Sequence, residues 1–191
     1  MADAPGFAQV RGPRGGRPAH LVLLGLPGAG KSTVGPLVAR ALEREFVDLD
    51  AEIERREGRS VGAIFADRGE QAFRALEGLL TAEFLDPEGP PVVLAPGGGW
   101  VEDPTNREWL GRGAVAVYIR VSPAVALARM GPAAETRPLL AGGDAERKLA
   151  AILARRESLY MQSRHTVSAE MMTPVEVASS IVALASIEFA D

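Results

Sequence analysis

The chain has 191 residues, 47% of them hydrophobic and 24% charged, with a net charge of −4 and no cysteine. That length supports one sizeable core and is short for two domains. The acidic balance argues against a general nucleic-acid or membrane-surface role, and a chain without cysteine has neither disulfides nor thiolate metal sites.

No apolar run approaches the about 20 residues of a membrane span, and no secretory apolar region follows Met1, so the cytoplasm is the expected compartment. Lys31 and Lys148 are the only lysines, which leaves Lys31 with little cationic company of its own kind. His20 and His165 lie far apart, and each is read as a strand-edge residue rather than a ligand.

Residues 1–18 are rich in Gly, Pro, Ala and Arg without a hydrophobic period, the composition of a disordered tail. Arg11, Arg14 and Arg17 there are read as solvated rather than as contacts to an acidic partner. From His20 onward, short apolar runs alternate with helical patterns, as βαβ units do. His20 to Leu24 is a first strand, and Val34, Leu37, Val38, Ala41 and Leu42 recur at helical spacing after it. Phe46-Val47-Asp48-Leu49-Asp50 is a second strand ending in carboxylates. Ala51 to Glu57 is a helix stopped by Gly58, Ser60 caps a further piece through Ala66, and Glu70 to Leu85 makes a longer helix.

Pro91 to Ala95 is a third strand, broken by Pro96-Gly97-Gly98-Gly99. Asp103-Pro104 opens a helix through Leu110, Ala114 to Ile119 is a fourth strand, and Ser122-Pro123 opens a helix to about Met130. Gly131 to Gly143 has no period and reads as a mobile loop. Asp144 begins a long helix to about Ser163, His165 to Ser168 is a last strand, and Thr173-Pro174-Val175-Glu176 is a capping box for the final helix. The expected architecture is α/β: a three-layer αβα arrangement around a five-stranded parallel sheet, with one domain over 19–191. Ligands in such sheets bind beyond the carboxyl ends of the strands, so residues 25–32, 48–50 and 96–99 face one crevice.

Gly25-Leu26-Pro27-Gly28-Ala29-Gly30-Lys31-Ser32 fits G-x-x-x-x-G-K-[ST] between strand and helix, where the motif requires it. Backbone N–H groups gathered at a helix N-terminus bind an anion such as a nucleotide phosphate. Lys31 would reach the β/γ-phosphates and the Ser32 hydroxyl would ligate Mg²⁺. Asp48 and Asp50, two apart, share a face if the strand reaches them. One carboxylate then sits near the metal and the other meets a substrate hydroxyl, unless both merely end a strand and cap a helix. Three consecutive glycines at a strand end favour a binding loop, through close backbone approach and positive φ. Arg74 and Glu77 are helix neighbours that fit either a site pair or a surface ion pair. Arg137 lies in the aperiodic loop, where it could close over transferring phosphate, and Arg156 could equally be a solvated helix charge.

The ordered set GLPGAGKST, the DLD at 48–50, FRALE at 73–77, GGG at 97–99, RPLL at 137–140 and RESLY at 156–160 resembles the shikimate kinases, small phosphate-loop enzymes of the nucleoside monophosphate kinase type. The resemblance runs from about residue 19 to 185. It implies ATP-dependent phosphorylation of the 3-hydroxyl of shikimate, in chorismate and aromatic amino acid biosynthesis, by a cytoplasmic monomer. Asp50, Arg74, Gly98 and Arg156 match positions that hold shikimate, with Gly97 and Gly99 beside them and the arginines taking its carboxylate. Glu77 matches the residue that orients this network. Asp48 and Ser32 match positions around Mg²⁺, and Gly28, Ala29, Gly30, Lys31, Ser32 and Thr33 match the phosphate cradle. Arg137 matches the lid arginine, in a lid near 131–143, and Arg129 a residue beside the adenine. Lys31, Asp50 and Arg137 form the implied catalytic set, with Asp50 orienting the hydroxyl and able to take its proton. Ser158 and Pro96 stand where the family usually has proline and threonine, and the tail is longer than most. Rival readings are another small-metabolite kinase, such as a gluconate kinase, and a regulatory module of the same fold that binds without reacting.

Overall fold

Short apolar runs form the strands β1 (His20–Leu24), β2 (Glu45–Asp48), β3 (Val92–Ala95), β4 (Ala114–Arg120) and β5 (His165–Ser168). The computed structural model describes residues 20–189 apart from Glu135, Thr136, Pro138 and Ala141, so the tail expected over 1–18 lies outside the described residues. All four pairings are parallel, in the order β2-β3-β1-β4-β5. β1 and β3 are buried at every residue, as strands covered on both faces must be. The edge strands β2 and β5 each bury a single valine, Val47 and Val167.

Between the strands run α1 (Lys31–Ala41), α2 (Leu49–Glu57), α3 (Val61–Phe84), α4 (Pro104–Glu108), α5 (Pro123–Met130), α6 (Ala145–Tyr160) and α7 (Pro174–Phe189). The three-layer αβα expectation is met. Helix starts follow local chemistry. Ser60 and Ser122 accept from the N–H groups of Ala63 and Val125, each at 3.2 Å. At α7 the capping box is reciprocal: Thr173 N–H donates to Glu176 Oε2 at 2.8 Å and Glu176 N–H to Thr173 Oγ1 at 3.3 Å. The two helical pieces expected after Ser60 form one element, kinked at Gly69, whose φ of 79° and ψ of 173° are not helical.

Several boundaries differ from expectation. β2 stops at Asp48 and α2 begins at Leu49, so Asp48 and Asp50 do not share a strand face. Asp48 is the N-cap of α2, accepting from Ala51 N–H at 3.3 Å, and Asp50 lies in the first turn. The helix from Asp144 ends at Tyr160, short of Ser163. Within 131–143 the segment Gly131–Ala134 forms a 3₁₀ turn rather than structureless loop. His20 is on the central strand, not an edge: it is buried, its Nε2 lies 3.0 Å from Asp86 O, and its Nδ1 accepts from Val92 N–H. Among the described residues no helix is long and apolar enough to cross a membrane.

Candidate active site

The loop after β1, the β2–α2 junction and the loop after β3 all open at the carboxyl end of the sheet. They bound a cavity of about 1100 Å³ that runs from Gly28–Val34 past Asp48 and Asp50 to Gly97–Gly99. Gly30 caps α1 in the left-handed region with φ 100°, and no side chain bonds the first turn. No side chain therefore caps the first N–H groups of α1, which leaves the dipole end open to phosphate. A Cβ on Gly28 would stand 2.3 Å from Ala126 O, so the loop packs tightly onto α5. Ala29 and Thr33 also line the cavity.

Lys31 Nζ donates to Gly25 O at 2.9 Å and Leu26 O at 3.2 Å, folded back across the loop it belongs to. Burial lowers its pKa to about 8, partly opposed by the Asp50 carboxylate. Ser32 Oγ donates to Asp48 Oδ2 at 2.5 Å, which joins the start of α1 to the end of β2. Asp50 has its pKa raised by burial first and by Asp48 second. Its Oδ1 is buried with no hydrogen-bond partner among the described residues.

α3 brings Arg74 to the cavity wall, with Glu77 one turn on, buried and paired to it. Arg74 Nη1 donates to Glu77 Oε2 at 2.8 Å and Nη2 to Glu70 Oε1 at 3.0 Å. A surface ion pair is not what forms here, because Glu77 is 0% exposed. Burial pushes Glu77 up to about 7 against the pull of Arg74, and its Oε1 has no partner. Arg156, on α6, is 2% exposed rather than solvated, and its Nη1 is also buried without a partner. Of the five buried side-chain atoms without a partner among the described residues, Asp50 Oδ1 and Glu77 Oε1 lie beside Gly97, and Arg156 Nη1 belongs to an arginine that lines the cavity. Buried polar groups are normally satisfied, so such a set marks a place where a polar ligand completes the bonding.

The glycine triplet separates these groups. A Cβ on Gly97 would lie 2.9 Å from Asp50 Oδ1 and 3.3 Å from Glu77 Oε1, and one on Gly99 2.3 Å from Arg74 Nη2. None of Gly97, Gly98 and Gly99 has positive φ, so that part of the expectation fails, while the crowding around them gives a need for space.

At the far end, Arg129 Nη1 donates to Ala29 O at 3.2 Å and Nη2 to Ala169 O at 2.6 Å, beside Met172 and Pro174 in the cavity wall. Glu170 holds the same corner by accepting from Ser122 N–H at 2.8 Å and from the Ser122 hydroxyl. Arg137 lies on the cavity rim and is exposed, near enough to Lys31 to disfavour its charge.

Sequence reasoning missed several groups. Tyr160, one turn after Arg156, donates its hydroxyl to Gly98 O at 2.6 Å. Trp100 is fully buried and donates Nε1–H to Thr81 Oγ1 at 2.8 Å, while Thr81 donates to Glu77 O at 2.7 Å. That chain of bonds anchors the glycine loop to the helix carrying Arg74 and Glu77. A tryptophan directly after the triplet and the tyrosine of RESLY were the available signals. Glu102, which pairs with Arg156, left none.

A glycine loop between the central strand of a 2-3-1-4-5 parallel sheet and the helix after it, with Lys31 and Ser32 at its end, defines a phosphate-loop kinase. The family model described as shikimate kinase matches residues 27–186. The chain belongs to the shikimate kinase family. It is 44% identical to the shikimate kinase of Rhodococcus erythropolis over 142 residues, 74% of this chain and 82% of that protein. The shikimate kinase of Halorhodospira halophila is 43% identical over 145 residues, 76% of this chain and 80% of that one. A solved shikimate kinase from Acinetobacter baumannii, in complex with shikimate, superposes with a TM-score of 0.84 at 33% identity, covering 92% of this chain and 97% of its own. Neither a gluconate kinase nor a non-catalytic module accounts for these matches.

Proposed function

We propose that this site transfers the γ-phosphoryl group of ATP to the 3-hydroxyl of shikimate, giving shikimate 3-phosphate and ADP. The observation that carries the reading is that, among the described residues, Asp50 Oδ1, Glu77 Oε1 and Arg156 Nη1 are buried and unpartnered, the first two beside Gly97 and the third on an arginine that lines the cavity. A ring bearing hydroxyls and one carboxylate supplies the donors that Asp50 and Glu77 lack and the acceptor that Arg156 lacks. Arg74 and Arg156 take the carboxylate, since a guanidinium fork matches it two atoms to two.

The hydroxyl oxygen attacks the γ-phosphorus as the bond to the β–γ bridging oxygen breaks. Asp50 accepts a hydrogen bond from that hydroxyl and can take its proton, which burial favours by raising its pKa. Before a loose transition state no base is required, so orientation is its first role. Lys31 and Arg137 hold negative charge on the transferring group, and the lid near 131–143 excludes water that would otherwise hydrolyse ATP. The cradle Gly28–Thr33 holds the phosphates and Arg129 stands beside the adenine.

Mg²⁺ fits Ser32 and Asp48, whose oxygens meet at 2.5 Å at the start of α1. An oxygen-only pair suits a hard cation that takes the rest of its shell from phosphates and water. When bound, the ion offsets charge on the nucleotide phosphates. ATP and shikimate are the partners in this reading, and dependence on ATP puts the reaction in the cytoplasm, with the chain working as a monomer.

A coupled ADP-release assay tests the whole reading. Turnover should appear on adding shikimate with ATP and be near background with ATP alone or with gluconate. ADP release that ignores shikimate would sink it.

Lys31 adds a pH signature. Its pKa of about 8 in the free protein should rise beside phosphate oxygens, so nucleotide binding takes up a proton. Affinity is then level below the free pKa and falls above it. ATP titrated at about pH 9.5 should bind more weakly than at about pH 7, and Lys31→Arg, charged throughout, should lose most of that slope. Equal affinity at both values in the unaltered chain counts against the arrangement.

A further inference from the structure

Arg156 is held from outside the cavity by a residue that no motif singles out. Glu102 ends the 3₁₀ turn Trp100–Glu102, directly after the glycine triplet. One of its oxygens, Oε2, accepts from Arg156 Nε at 2.8 Å and lies 2.6 Å from Nη2. The other, Oε1, is 3.7 Å from Arg155 Nη2. Backbone bonds fix Glu102 itself: its N–H donates to Gly99 O at 3.0 Å, and its carbonyl accepts from Arg107 Nη1 at 3.0 Å.

A guanidinium presents two edges to a carboxylate, Nε with Nη2 and Nη1 with Nη2. Glu102 occupies the first. Among the described residues Nη1 is left buried and unpartnered, on an arginine that lines the cavity. We propose that Glu102 is a positioning residue for substrate recognition: it clamps the Nε edge of Arg156 and turns the Nη1–Nη2 end toward the carboxylate of shikimate. This rests on the assignment of that carboxylate to Arg156 made above.

Two effects of Glu102 oppose each other. Its charge repels a second carboxylate, and its grip removes the rotamer freedom that the arginine would otherwise lose on binding. Glu102 is outside the cavity lining and its side chain is 37% exposed, so solvent and the guanidinium itself screen the repulsion. The grip acts on a side chain only 2% exposed, where an unheld charge is costly. Holding wins.

The test measures equilibrium shikimate binding without nucleotide, and KM and kcat for both substrates, in Glu102→Ala, Glu102→Gln, Arg156→Ala and the Glu102→Ala/Arg156→Ala pair. Glu102→Ala should weaken shikimate binding about tenfold or more, from loss of a charge-assisted contact. Its kcat and its KM for ATP should stay within about twofold, since the contact belongs to substrate binding alone. Glu102→Gln keeps an acceptor oxygen for Nε and Nη2 and should recover most of the loss. With Arg156 already removed, Glu102→Ala should add nothing, because it acts only through that arginine. Unchanged or tighter shikimate binding in Glu102→Ala overturns the proposal, as does a parallel fall in kcat and ATP affinity. Arg156→Ala that binds shikimate normally would instead overturn the carboxylate assignment beneath it.

Discussion

Lys31→Ala should reduce shikimate phosphorylation by about 100- to 1,000-fold or more, the cost of removing one donor aimed at developing charge in a water-poor site. The fold should survive the change. Among the described residues Lys31 Nζ bonds to Gly25 O and Leu26 O, and Leu26 O also accepts from Ala29 N–H at 3.1 Å, so it keeps a partner without the lysine. Burial has lowered the lysine pKa to about 8, below its ordinary value, so keeping it charged at neutral pH costs the native state stability. That cost is full below the folded pKa and fades as pH rises toward the unfolded value. Thermal unfolding of Lys31→Ala at neutral pH should therefore show a Tm at least equal to that of the unaltered chain. Activity in the coupled assay should be lost while circular dichroism is unchanged. Near-normal turnover would remove the basis for a phosphate-loop kinase mechanism here.

The same residue shows what is legible in a single sequence. The phosphate loop is local: eight consecutive residues from Gly25 to Ser32 carry the turn, the helix start and the charge, and the flanking apolar periods place it between strand and helix. The strands were legible for a similar reason, since β1 and β3 are buried throughout and read as unbroken apolar runs. Boundaries were less so. Leu49 belongs to helix rather than strand, and the carboxylates on either side of it reach the site by a change of element, not by strand alternation. The glycine triplet reads as a site of close approach, but the Arg74 and Asp50 side chains packed against it, which lie tens of residues away in sequence, do not show in the pattern. Contacts of that range are invisible to pattern. Tyr160 and Gly98 are 62 positions apart, Arg156 and Glu102 54, and Trp100 and Thr81 19. Glutamates next to helices are common, so nothing local distinguishes Glu102 from its neighbours.

Arg156→Ala should weaken shikimate binding by about 1.5–3 kcal/mol, roughly tenfold to more than a hundredfold, and leave ATP binding in the absence of shikimate nearly unchanged. The two substrates separate because the cations assigned to them do: Arg74 lies against Gly99 and Arg156 is held by Glu102, while Lys31 lies at the phosphate loop. Arg74→Ala should lose shikimate affinity by at least as much, and for an added reason. Glu77 is 0% exposed, and Arg74 Nη1 donates to its Oε2 at 2.8 Å. Without that partner burial acts unopposed, and the Glu77 pKa, already about 7, moves higher. The variant then holds a protonated Glu77 at neutral pH, whose hydroxyl donates where the carboxylate accepted. Arg156→Ala has no such consequence, because Glu102 keeps Arg155 within 3.7 Å and reaches solvent. Arg137→Ala should mainly slow turnover under the role proposed for it at the reacting phosphate. Calorimetric titration of each variant with ATP and with shikimate separately, alongside kcat, distinguishes these outcomes. Arg74→Ala should also bind shikimate with a pH dependence shifted upward from that of Arg156→Ala, as Glu77 ionises later. If both arginine variants bind shikimate like the unaltered chain, the carboxylate does not sit between them and the substrate assignment loses its physical support.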